Sequence, residues 1–139
     1  MSENSFPNPS RQAGYIIAIL VNVGLIYVFN NILTWNAPYL TQDFSRCLPA
    51  LTMSLAVTIF CNAVFMVYDP KYFRHLMQVV MNCFGWYSLL VFYQVLPLDL
   101  PVGIPQIVRA GLLVALIIIP IATIVEAVQA LHKMSKLTS

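Results

Sequence analysis

Apolar positions in this chain neither alternate nor recur as stripes; they run together. Residues 12–42 contain no Asp, Glu, Lys or Arg, and neither do residues 47–68 or 76–98. A fourth run, Ala110–Val125, covers 16 residues between Arg109 and Glu126. A helix needs about 20 apolar residues to cross the hydrocarbon core of a bilayer. The fourth run is long enough when Arg109 and Glu126 snorkel toward the two interfaces. The pattern therefore predicts an all-α integral membrane protein, with four transmembrane helices in an antiparallel bundle. The expected spans are 15–34, 48–67, 70–96 and 105–131. They lie between a polar N-terminal segment, 1–14, and a short basic tail, 132–139. No small-x-small cleavage pattern follows the first run, so helix 1 is expected to be retained rather than removed as a signal peptide.

The connectors carry the punctuation. Trp35 and Tyr39 mark an interfacial belt after helix 1. The stretch WNAPYLTQDFSR then has room for a short turn or interfacial helix. Pro49 suits the first turn of helix 2. Asp69 is placed to cap helix 3, with Pro70 at its first position. Three prolines and one glycine in PLDLPVGIP predict a tight, irregular link to helix 4. Inside helix 4, Pro120 deletes one backbone hydrogen bond and frees the Leu116 carbonyl, which predicts a kink.

Composition agrees with this reading. Hydrophobic residues make up 60% and charged residues 9% of the 139, with a mean hydropathy of +0.79. Soluble domains carry about 25% charged residues, so the charges here could not cover a water-facing surface. Net charge is +2, too small to point to nucleic acid. The three cysteines are dispersed, and neither a disulfide framework nor a zinc site is expected. Arg11, Lys71, Arg74, Lys133 and Lys136 fall on one side of the implied membrane, and Arg46 and Arg109 on the other. Five against two favours both termini in the cytoplasm, and the inner membrane of a bacterium is the expected location. The segments NNILTWNAPYLTQDF and YDPKYFRHLMQ resemble stretches of small bacterial membrane proteins, a likeness that brings no functional residue with it.

The polar residues inside the spans are the candidate chemistry. Asn22, Asn62 and Asn82 each fall roughly 7–11 Å from the basic-side boundary, and Pro120 lies at a similar level. Faces agree: Ser54, Thr58 and Asn62 on helix 2; Gln78, Asn82 and Gly85 on helix 3; Gly14, Ala18 and Asn22 on helix 1; Ala122, Glu126 and Ala130 on helix 4. Asn22, Thr58, Asn62, Gln78, Asn82 and Glu126 thus form an expected inner-leaflet polar layer, either a helix-packing seam or the wall of a small cavity. Glu126 is expected to be hydrated near the boundary, or to pair with Arg74, His75 or Arg11. Arg11, Lys71, Arg74, His75, His132 and Lys133 are candidates for ion pairs or lipid-headgroup contacts. On the far side Arg109 has Asp43 and Asp99 as expected ion-pair partners. Gly111 and Ala115 form a small-xxx-small pair suited to close contact with a partner helix.

No catalytic residue, metal ligand set or cofactor is predicted. Haem ligation by His75 and His132 is chemically reasonable, but histidines beside lysines and arginines more often meet lipid headgroups. Small multidrug transporters have a similar size and helix number, but helix 1 here has asparagines where they have a glutamate. Helix 4 lacks the arginine repeat of a voltage sensor. The expected function is a non-catalytic accessory or scaffold subunit of a larger membrane complex, energy-transducing assemblies included. Its expected partners are the lipid bilayer and other membrane subunits. A small oligomeric transporter or channel using the polar layer is the alternative, and a membrane enzyme acting on lipid the second alternative.

Overall fold

The structure, a computed structural model, describes residues 8–139. Residues 1–7, the first half of the expected polar N-terminal segment, lie outside the described residues. The architecture is all-helical: α1 Pro9–Asn31, a 3-10 turn at Gln42–Arg46, α2 Leu48–Phe65, α3 Lys71–Val95 and α4 Ile104–Thr138. All four α-helices are long and apolar enough to cross a membrane.

Local chemistry explains where each helix begins and ends. α1 starts at Pro9 rather than near Tyr15. Asn8 is extended and its side chain accepts a bond from the Arg11 amide at 3.1 Å, while Pro9 occupies a first-turn position that needs no donor. α2 grows directly out of the 3-10 turn, where the Cys47 amide bonds the Phe44 carbonyl at 2.9 Å. α3 starts at Lys71, after an extended Pro70, and the Asp69 side chain does not cap it. It ends where Leu96 turns left-handed (φ 39°) and Pro97 follows. A proline cannot continue the helix, and a left-handed residue lets the chain leave it. α4 contains Pro120 and continues to Thr138, so the expected basic tail is mostly helix. Nothing in LHKMSKLT breaks it: no glycine or proline occurs there.

The helices pack in chain order, α1 on α2, α2 on α3 and α3 on α4; among the described residues α1 and α4 do not touch. Two aromatic joints stitch the first three together. The Phe65 ring lies 5.4 Å from Tyr15 of α1 and 6.1 Å from Phe73 of α3, centroid to centroid. At the opposite end the two long connectors hold each other through a single antiparallel bridge between Leu40 and Leu98. There the Thr41 amide donates to the Pro97 carbonyl at 2.9 Å, and the Asp99 amide to the Tyr39 carbonyl at 2.8 Å. Among the described residues few apolar side chains are buried: Phe44, Cys47, Ala50, Cys61, Phe65 and Ala130 form the core. Large apolar side chains such as Ile17, Leu20, Phe60, Ile117 and Ile121 lie exposed. In lipid such exposure is not penalised, because the tails are as apolar as leucine.

Candidate functional site

Seven charged residues, Arg11, Asp69, Lys71, Arg74, Glu126, Lys133 and Lys136, lie toward the end of the molecule where α1 begins, α2 passes into α3 and α4 finishes. Two clusters form there. The first is centred on Asp69, in the α2–α3 connector, whose side chain has no exposed surface. Arg74, one turn into α3, grips it with both arms of its guanidinium, Nε to Oδ1 and Nη2 to Oδ2, each at 2.8 Å. The Tyr15 hydroxyl of α1 donates to Oδ2 at 2.7 Å, and Arg11 approaches the same oxygen at 3.8 Å. A buried carboxylate requires partners of this kind, and a bidentate arginine is the strongest single one available. Asp69 therefore ties α1, the connector and α3 together.

The second cluster joins α3 to α4. His75 Nδ1 bonds the Glu126 carboxylate, and Lys133 Nζ stands 2.5 Å from His75 Nε2. The imidazole is thus held between a carboxylate on α4 and an amine about two turns further on, with one ring nitrogen facing each. Arg74 and His75 are adjacent in sequence, so the two clusters form one belt of charge across the helix ends. At its edge the Tyr68 and Tyr72 hydroxyls share a 2.5 Å bond, and that bond raises the Tyr68 pKa above the ordinary phenol value.

The expected polar layer is used differently. Asn22 donates to the Ala18 carbonyl and Asn62 to the Thr58 carbonyl, both within their own helices at 2.7 Å. Thr58 likewise bonds the Ser54 carbonyl, and Gln78 donates to Asn82 on the same helix at 3.0 Å. Glu126 alone of the six bonds across to another helix among the described residues. One interhelical bond deep in the spans comes from elsewhere: the Trp86 indole donates to the Leu116 carbonyl at 3.0 Å. That is the acceptor Pro120 leaves without its helical partner. Sequence reasoning identified the acceptor but not the donor, although an indole N–H at mid-span needs a partner when buried. It also treated Asp69 as a cap. The signal for a hub was present, because Asp69 is the one acid in a connector surrounded by Lys71, Arg74 and, on the same side, Arg11.

The remaining candidates are scattered. His132 is exposed and contributes no side-chain bond to the belt. Arg109, also exposed, pairs with neither Asp43 nor Asp99 among the described residues. Gly111 is exposed, and a β-carbon built on it meets nothing within 4 Å. Cys47 and Cys61 are buried and Cys83 is exposed, all as thiols. Burial, and to a lesser degree Asp43, pushes the Cys47 thiol above its ordinary pKa. Among the described residues no group of three or more His, Cys, Asp or Glu is placed to hold a metal ion.

The fold and this charged end define an all-helical chain with four candidate membrane-spanning helices, held at one end by a belt of ion pairs. No family model, curated protein or solved structure matches it.

Proposed function

We propose that the chain is a non-catalytic accessory or scaffold subunit of a larger membrane assembly. One observation supports this most: among the described residues the four α-helices contact one another only in chain order, and α1 and α4 do not meet. A row of this kind exposes both flanks and much of both faces. In the proposed assembly, helices of other subunits cover part of that surface. The spans alternate in direction as an antiparallel bundle, Pro120 bends α4, and both termini lie in the cytoplasm of a bacterial inner membrane. The charged belt then has a scaffolding role. It locks the cytoplasmic ends of the helices so that their lipid-level faces stand at fixed angles for docking.

The polar side chains favour this reading over a transporter. Asn22, Asn62, Gln78 and Asn82 bond within their own helices. The test is purification from native membranes in mild detergent without crosslinker, followed by native mass measurement. Stoichiometric recovery with larger membrane subunits is the expected result. A protein that runs alone, as a monomer of 15.6 kDa plus lipid, overturns the proposal.

A further inference from the structure

His75 of α3 meets α4 at two points. Glu126 and Lys133 are seven residues apart on α4, two turns, so they share a face with about 10 Å between them along the axis. The imidazole fills that interval, with Nδ1 on the carboxylate and Nε2 2.5 Å from the Lys133 amine. Water reaches the contact only in part: side-chain exposure is 19% for His75 and 28% for Glu126. The two halves of this clasp answer a proton in opposite ways. A carboxylate accepts from the N–H of a neutral imidazole and from an imidazolium alike. A charged lysine has three donors and no acceptor, and an imidazolium donates from both nitrogens and accepts at neither. The Lys133–His75 contact therefore exists only while the pair holds one proton fewer than its full set. Adding that proton from water sets two donors face to face, with a positive charge on each. The Glu126 bond survives the change and the Lys133 bond does not.

The groups around His75 decide which side moves. On its own helix Arg74 is clamped by the buried Asp69 carboxylate, and Lys71 stands one turn back. α2 carries no charged residue and offers the Cys61 thiol, which lies against Met77. On α4, Lys136 shares with Lys133 the wall of a cleft of about 280 Å³, closed on the α3 side by Tyr72. No second acid stands beside Glu126 to hold an added positive charge in place, because Asp69 is occupied by Arg74, Tyr15 and Arg11. Beyond Ala130 the residues of α4 are exposed, and Lys133 is the exception, half-buried. The last turns of α4 are thus tucked against α3 by the side chain that a proton displaces.

We propose that His75 is a proton-operated latch on the end of α4. While the His75–Lys133 pair is one proton short, Lys133 holds residues 131–138 against α3. Uptake of one proton releases Lys133, and these turns swing away from Tyr72 and widen the cleft, while Glu126 keeps the rest of α4 on α3. The latch is internal to this chain and does not depend on the accessory-subunit reading.

The experiment places spin labels at Leu76 on α3 and Met134 on α4, both exposed, in the otherwise cysteine-free full chain in detergent. The distance between them is read at about pH 8 and about pH 5, the limits between which imidazoles ordinarily change charge. The acidic sample is expected to show a mean distance longer by roughly one helical pitch, about 5 Å, and to return on neutralisation. His75→Gln, which cannot take up the proton, is expected to give one distance at both pH values. Lys133→Ala, at the exposed end of α4, leaves the fold intact and is expected to give the long distance at both. His132→Gln removes the neighbouring exposed imidazole and is expected to respond as the parent chain does. Equal distances at the two pH values in the parent chain overturn the proposal. So does a parent-like response in His75→Gln or in Lys133→Ala, and a response lost in His132→Gln assigns the proton to the wrong histidine and overturns it as well.

Discussion

Asp69 ties α1, the α2–α3 connector and α3 together through one carboxylate. Its carboxylate is fully buried and faces two arginines and a tyrosine from two helices. Removing one member of such a group leaves an uncompensated charge, whereas a matched apolar replacement of the whole group can be nearly neutral. Asp69→Asn should therefore destabilise the chain by about 2–4 kcal/mol, the lower end reflecting the partly exposed arginines. Tyr15→Phe should cost only about 1 kcal/mol, because the arginines still satisfy the carboxylate. Denaturant unfolding in detergent ranks the two, and an Asp69→Asn midpoint equal to wild type would show that the cluster is not structural. A second residue-scale expectation concerns Cys47. Its raised pKa means that thiolate is scarcer than at an unburied cysteine at the same pH. Alkylation of a C61A/C83A chain by a water-soluble reagent should accelerate only above the ordinary thiol range of about 8.5. The folded state also holds this proton more tightly than the unfolded chain does. The stability Cys47 contributes is thus present at neutral pH and lost as pH rises through that alkaline range. Alkylation at pH 7 at the rate of a free thiol would contradict both statements. The position of Asp69 was visible in the sequence as a lone acid among bases. Its role was not, because Asp before Pro at a helix start reads equally well as a cap.

At the scale of the helices, α4 and its contact with α3 decide the most. Pro120 removes the amide that would bond the Leu116 carbonyl, and Trp86 supplies an indole N–H in its place. The proline and the tryptophan therefore form one device, and their energies should not add. Trp86→Phe should cost about 1 kcal/mol in the wild-type helix, a little above the average for bonds between membrane helices. In a Pro120→Ala background the backbone amide returns to Leu116, so the same substitution should cost less. Stability measurements on the four chains of this cycle give the coupling directly; additive values would mean that the indole bond does not replace the missing amide. The proposed bend of α4 at Pro120 predicts that a structure of the Pro120→Ala chain shows the helix straighter by at least the ~20° that defines a sharp kink. Existence and order of the four spans were legible because charge-free runs of this length have few other uses. The ends were less so. Asn8–Pro9 extends α1 outward and the breaker-free LHKMSKLT extends α4. Both are polar helix outside the apolar runs, where hydropathy carries no signal.

For the whole molecule, the belt at one end and the Leu40–Leu98 bridge at the other hold four helices in a row without closing it. The sequence placed polar residues of several helices at one depth, which suggested a shared seam. Depth alone could not reveal that asparagine and threonine would bond their own helices, a competition short polar side chains often win. Topology is open to direct measurement: cysteines introduced into a cysteine-free chain at Asp43, Lys71 and Asp99, all exposed at connectors or helix ends, should label from opposite sides. Lys71 should react from the cytoplasm and the other two from outside; reaction of all three from one side would dismantle the four-span reading. The proposed accessory-subunit role implies a partner-facing surface, and Gly111 gives a clean probe of it. A β-carbon there meets nothing within 4 Å of its own chain, so Gly111→Leu costs the isolated protein nothing in packing and replaces a poor helix former with a good one. Beside Ala115, one turn on, Gly111 leaves a shallow notch on α4 through which a foreign helix can approach closely. Filling that notch with leucine should reduce co-purification of partner subunits at least several-fold, while unfolding of the purified chain stays as in wild type or shifts to slightly higher denaturant. Undiminished recovery of partners with Gly111→Leu would remove this face of α4 from the interface and direct the search to the uncovered flank of α1.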